Sequence, residues 1–187
     1  MLETTSPTVI AGAELCAIRQ RAFRTRETTL DDEATPYTLA DWQATCASFR
    51  RMTRATLLDL SERAFEAQPT TATGDEVWSA GQIVCHMAQT QIDIFFGAMR
   101  KAHALPAPSA AELGVPDGAG PLTRAAALAA LDVADSDLER FFADLPPDLD
   151  LRARVPSAHF ESIGAGGLLT IVGIHEEDHW GQLNELR

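Results

Sequence analysis

The chain has 187 residues, 45% of them apolar, enough for one folded domain with a substantial core rather than a disordered segment. Its formal charge is −12, from 27 acidic and 15 basic side chains, and no basic stripe runs through it. An acidic surface repels phosphate backbones, so nucleic-acid binding is excluded as an expectation. The basic cluster Arg19–Arg26 reads as a solvated helix face. Abundant Ala and Leu, a single Tyr and short β-branched runs favour helix over sheet.

The start, Met1–Pro7, is polar and lacks the charged-then-apolar pattern of a signal peptide, and the apolar run Leu168–Ile174 is too short to span a bilayer. A cytoplasmic location away from the membrane is therefore expected. Cys16, Cys46 and Cys85 form no C-x-x-C pair, and reduced, mostly buried thiols are the reading.

In chain order, residues 1–37 read as an N-terminal extension, with a weak helical segment over Thr8–Leu30 and a linker over Asp31–Pro36. A bundle domain is expected over residues 38–187. Thr38 and Asp41 form a capping-box pattern, after which Leu39, Trp42, Cys46, Phe49, Thr53, Thr56 and Leu60 recur at helical spacing. Pro69 lies beyond that helix. The second helix is capped by Ser79 with Gln82. Trp78 and Ile83 stand in staple positions, and Ile83, His86 or Met87, Thr90, Ile94 and Gly97 form the inner face to about Ala102. Leu105–Pro121 carries four Pro and three Gly and is a long connection. A third helix is expected over Thr123–Leu145, stopped by Pro146 and Pro147, with a short extended piece in Leu149–Val155. Gly164, Gly166 and Gly167 precede the last helix, whose stripe runs Leu168, Val172, His175, His179, Gln182 or Leu183, Leu186.

Four long amphipathic helices in one small domain describe an all-α four-helix bundle with an extra N-terminal helix. The long second connection lets helices two and three run parallel, giving an up-down-down-up order. Helices two and four then oppose each other, which brings the level of His86 to that of His175 and His179.

His175 and His179 are four residues apart, so in a helix they stand one above the other with Cβ atoms ~5–6 Å apart. Such a pair alone also fits two core histidines with separate hydrogen-bond partners. A third imidazole on an apolar stripe changes the balance, because one shared divalent ion satisfies all three. Three neutral ligands leave the ion's charge uncompensated and positions open, which is the pattern of catalytic sites. Zn²⁺ is the first choice, and Ni²⁺ and Fe²⁺ also suit imidazole. H175-E-E-D-H179 also matches H-E-x-x-H of zinc peptidases, but the extended pattern needs Gly where Gln182 stands, and no active-site strand precedes it. Glu176 is a candidate catalytic base beside the ion, and equally reads as a surface carboxylate. His159 reads as a pocket-lining or plain surface residue, His103 as a favourable charge at a helix C-terminus, and Asp93 either as a partner orienting a ligand histidine or as a buried-edge polar residue with some other partner. Trp180 reads as a wall of the site or a packing residue.

W78-S-A-G-Q-I-V-C-H86-M and H175-E-E-D-H179-W-G-Q-L together resemble the DinB/YfiT-like superfamily of bacterial metal-binding four-helix bundles, over roughly Thr38–Arg187. The resemblance implies His86, His175 and His179 as metal ligands, a long crossover between helices two and three, and a homodimer. It implies a low-molecular-weight-thiol-dependent S-transferase or isomerase acting on a small-molecule electrophile, with bacillithiol, mycothiol or glutathione as co-substrate. The alternatives are a metal-dependent hydrolase using Glu176 and a non-catalytic metal-binding stress protein.

Overall fold

The structure is a computed structural model that describes residues 6–67, 77–120, 122–157, 160 and 163–187. The bundle is built from α3 (Leu39–Asp59), α5 (Ala80–Gln89) continued by a π-helical segment Thr90–Phe96 and α6 (Gly97–Ala102), α7 (Arg124–Asp144) and α8 (Ala165–Glu185). Ahead of it lie α1 (Gly12–Arg19), a π-helical turn Gln20–Thr25, and α2 (Leu30–Ala34); α4 (Glu62–Glu66) follows α3. The expected extended piece is β1 (Arg154–Val155), paired antiparallel with β2 (Ile163–Gly164).

Side-chain contacts give the helix directions. Trp42 lies by Gly173 and Asp59 by Arg187, so α3 and α8 run parallel. Leu122 lies by Gly81, Gln91 donates to the Ala134 carbonyl and Phe96 stacks on Phe141, so α5–α6 and α7 run parallel. Trp78 meets His179 and Phe95 meets His175, so α5 and α8 are antiparallel. The order is up-down-down-up. Among the described residues no helix is long and apolar enough to cross a membrane.

The helix starts follow from their caps. At α3 the Asp41 carboxylate accepts from the Thr38 N–H at 2.8 Å, the Thr38 hydroxyl at 2.7 Å and the Thr8 N–H at 2.6 Å, tying the N-terminal segment to the helix. Burial pushes the Asp41 carboxyl up, but these bonds outweigh it and hold it below its ordinary value of 3.8. A depressed folded-state value gives stability that is present above pH 3.8 and lost as pH falls below it. Asp41→Ala is expected to lower unfolding stability by about 1–2 kcal/mol at pH 7. Urea denaturation at pH 7 and pH 3 checks this: the deficit shrinks at the lower pH, as the wild type loses this contribution.

Two expectations are corrected. Asp31–Pro36 is not a plain linker. Most of it belongs to α2, which Thr29 and Asp32 start with a capping box. Asp31 accepts from the Gly164 N–H at 2.8 Å and pairs with Arg154 at 2.7 Å, so α2 sits against the start of α8. A Cβ at Gly164, Gly166 or Gly167 would strike Asp31, Ala34 or Leu151, and the glycines are what permits this close approach. The inner stripe of α5 also shifts. The π-helical segment turns less per residue than an α-helix, so positions after Thr90 lag. Ile92, Phe95 and Phe96 are buried, while Ile94 is only half-buried.

The lag also places Asp93. It is exposed and accepts from the Ala110 N–H at 2.7 Å rather than orienting a histidine. With Gln89 bonded to the Pro116 carbonyl at 2.6 Å and Gln82 to that of Gly118 at 3.4 Å, it pins the crossover along the outside of α5. Gly118, at φ +69°, passes over Cys85 there.

Candidate metal centre

α5 and α8 bring His86, His175 and His179 together. His175 Nε2 stands 3.3 Å from His86 Nε2 and 3.1 Å from His179 Nε2. Ligand atoms of the three rings all lie within 4.8 Å of one another. Two nitrogens each ~2.0–2.1 Å from one ion in tetrahedral geometry are ~3.3–3.4 Å apart, so the observed spacing is close to that of a shared metal. Hydrogen bonding alone serves this cluster poorly. His175 Nε2 faces two ring nitrogens, and one N–H cannot be directed at both.

The electrostatics agree. Burial, and then the neighbouring His179, push His86 down to about 4. Burial followed by His179, His86 and Arg50 pushes His175 well below its ordinary value. Both rings are therefore neutral at pH 7, the form that ligates a metal.

Around the cluster, the Trp78 ring lies 4.5 Å from that of His86 and 6.3 Å from that of His179, and Phe95 lies edge-on to His175 at 5.3 Å. Gln182 Oε1 is 2.8 Å from His179 Nδ1. Thr90 Oγ1 is 3.4 Å from His86 Nδ1. The sequence alone assigns neither Trp78 nor Gln182 a contact with the three histidines. The i, i+3 spacing from His179 to Gln182 was the available signal for the latter.

The other candidates are not among this group of ligands. Glu176 is fully buried, and its Oε1 accepts from Arg50 Nη2 at 2.6 Å. The same nitrogen donates to Gln91 Oε1 at 2.6 Å, and Gln91 in turn donates to the Ala134 carbonyl at 3.0 Å, so one network joins α3, α8, the π-helical segment and α7. Burial pushes the Glu176 carboxyl up and Arg50 opposes it, with a net rise. The surface-carboxylate alternative for Glu176 is corrected by this burial. Trp180 packs edge-on against Phe49 at 6.0 Å, on the α3 side. His103 occupies the C-cap of α6. His159 and Pro69 lie outside the described residues.

The family model of the DinB superfamily matches residues 47–183. The chain belongs to the DinB superfamily. The match takes in α5 to α6 and α7 whole and most of α3 and α8, with all three histidines of the cluster. No curated protein and no solved structure matches the chain significantly. This DinB-superfamily bundle thus presents three imidazoles in a group that can hold one ion, walled by Trp78 and Phe95.

Proposed function

We propose that this DinB-superfamily protein is a metal-dependent enzyme in which His86, His175 and His179 hold one divalent ion, Zn²⁺ first, for transfer of a low-molecular-weight thiol to a small electrophile. The observation that carries the reading is the convergence of the three Nε2 atoms at 3.1 and 3.3 Å. Among the described residues no carboxylate or thiol joins that group, so an ion there keeps positions for outside ligands. When bound, the ion supplies Lewis acidity that lowers the pKa of a thiol or water.

The chain's own thiols do not serve as the nucleophile. Cys46 is buried and pushed up, first by burial and then by Glu176. Cys85 is buried and pushed up to about 11, by burial and then by Asp117. Cys16 is raised as well, by burial and by its hydrogen bond to Glu177. A raised thiol pKa leaves little thiolate at pH 7, and none of the three thiols joins the histidine group, which supports a sulfur nucleophile from solution. In the transfer, the incoming sulfur bonds to the electrophilic carbon, the leaving group departs with its electron pair, and the thiol proton passes to solvent.

The test uses untagged full-length protein, a panel of bacillithiol, mycothiol and glutathione, and chlorodinitrobenzene as electrophile. Conjugate and chloride are expected to form only with both thiol and ion present, to stop on chelation, and to return with Zn²⁺. Metal bound without turnover under any thiol would instead mark a binding protein. A second reading, metal-assisted hydrolysis with Glu176 as base, draws on Glu176 Oε2, which has no hydrogen-bond partner among the described residues. It requires ester hydrolysis without thiol and its loss in Glu176→Gln.

A further inference from the structure

We propose that Gln182 is a positioning residue that fixes the ligating tautomer of His179 and keeps the ion strongly acidic. The proposal rests on the reading of the three histidines as ligands. Gln182 Oε1 lies 2.8 Å from His179 Nδ1, while Nε2 of the same ring faces the cluster, 3.1 Å from His175 Nε2. A carboxamide oxygen only accepts, so it requires the proton on Nδ1 and leaves the Nε2 lone pair for the ion. The contacts at the other two rings are looser. Thr90 Oγ1 is 3.4 Å from His86 Nδ1 and 3.5 Å from its Nε2, and His175 Nδ1 has no partner among the described residues.

The neutral amide matters as much as its position. A carboxylate at the same place would draw the Nδ1 proton toward itself and push negative charge through the ring onto the ion. That tightens binding and weakens Lewis acidity. An amide orients the ring without supplying charge. Three uncharged ligands with an uncharged outer partner leave nearly the full double charge for whatever occupies the open positions.

The experiment measures Zn²⁺ affinity of the full chain by competition with a chromophoric chelator, for wild type, Gln182→Ala, Gln182→Glu and His179→Ala. Gln182→Ala is expected to weaken Zn²⁺ by ~10–100-fold, and Gln182→Glu to bind at least as tightly as wild type. In the Co²⁺-loaded proteins, the pH midpoint of the visible spectrum is expected to rise in Gln182→Glu. The metal-free melting temperature should stay unchanged in both Gln182 variants. Wild-type Zn²⁺ binding that His179→Ala abolishes but Gln182→Ala leaves within ~3-fold overturns the role of Gln182 alone. Equal weakening in Ala and Glu variants, with a fall in metal-free melting temperature, reduces Gln182 to a packing residue. A wild-type chain that binds no Zn²⁺ overturns the three-histidine reading, and this proposal with it.

Discussion

With the three histidines as the proposed ligands, His86→Ala is expected to weaken Zn²⁺ binding by more than ~100-fold, since losing a ligand costs more than the ~10–100-fold typical of losing an outer partner. The effect should be as large for His175→Ala, whose ring nitrogen faces both others at 3.1 and 3.3 Å. Metal analysis after desalting reads the loss directly. Thermal melting reads it a second way, because an ion that binds only the folded chain raises stability by ~4 kcal/mol at a thousandfold excess over Kd. Wild type should therefore melt higher with Zn²⁺ than with chelator, and His86→Ala should melt at one temperature in both. Unchanged metal content in His86→Ala would refute ligation by that residue.

The same substitution has an opposite effect in acid. In the metal-free fold His86 is held at about 4, against an ordinary 6.5, by burial and then by His179. The unfolded chain therefore takes up a proton through a pH range in which the folded chain refuses it. Stability is present above pH 6.5 and is lost as pH falls toward 4. Alanine carries no such proton, so the metal-free variant should lose less stability than metal-free wild type between those two pH values. Urea denaturation in chelator across this window checks the sign.

Local chemistry in the sequence determined much of the architecture. Thr38 with Asp41 and Ser79 with Gln82 each mark a helix start by donor and acceptor groups within three residues, and the structure begins α3 and α5 there. The His175–His179 pair was equally legible, because four residues along a helix fix relative position without tertiary information. What stayed hidden depends on distant packing. Glu176 follows His175 directly, at about 100° around the helix, and reads as surface on a helix with one buried face. α8 has more than one. Leu15 on α1 and Trp42 on α3 close over Gly173, and α2 lies against its start, so the run from Ala165 to Ile174 is buried throughout. Arg50, the partner of Glu176, lies 126 positions away in the chain. The π-helical segment left no signal either. Thr90–Phe96 continues the helix of α5 without Pro or Gly, and the packing of Ile92, Phe95 and Phe96 reveals the altered turn.

Arg100→Met is expected to destabilise the bundle by about 3–5 kcal/mol, a large share of the ~5–15 kcal/mol typical of a domain. Arg100 and Asp137 form an ion pair whose side chains are 2% and 1% exposed. Nη2 donates to Oδ1 at 2.8 Å and Nη1 to Oδ2 at 3.2 Å, while the guanidinium lies 5.5 Å from the Phe141 ring centroid. Removing the cation leaves a carboxylate sealed between α6 and α7 with no compensating charge. It must either stay charged in a poor solvent or take up a proton, and both cost free energy. Taking out both charges together behaves differently. Arg100→Met with Asp137→Leu keeps the volume and avoids the desolvation of two ions, so the double variant should recover most of the loss or exceed wild type. Denaturant midpoints of the two single variants and the double variant form a cycle that reads the coupling. A coupling near zero would mean that the pair contributes packing and no more. The ion pair lies at the end of the bundle where α6 closes, while His86 sits nearer the start of α5, so Zn²⁺ content per folded chain should be the same in all four proteins.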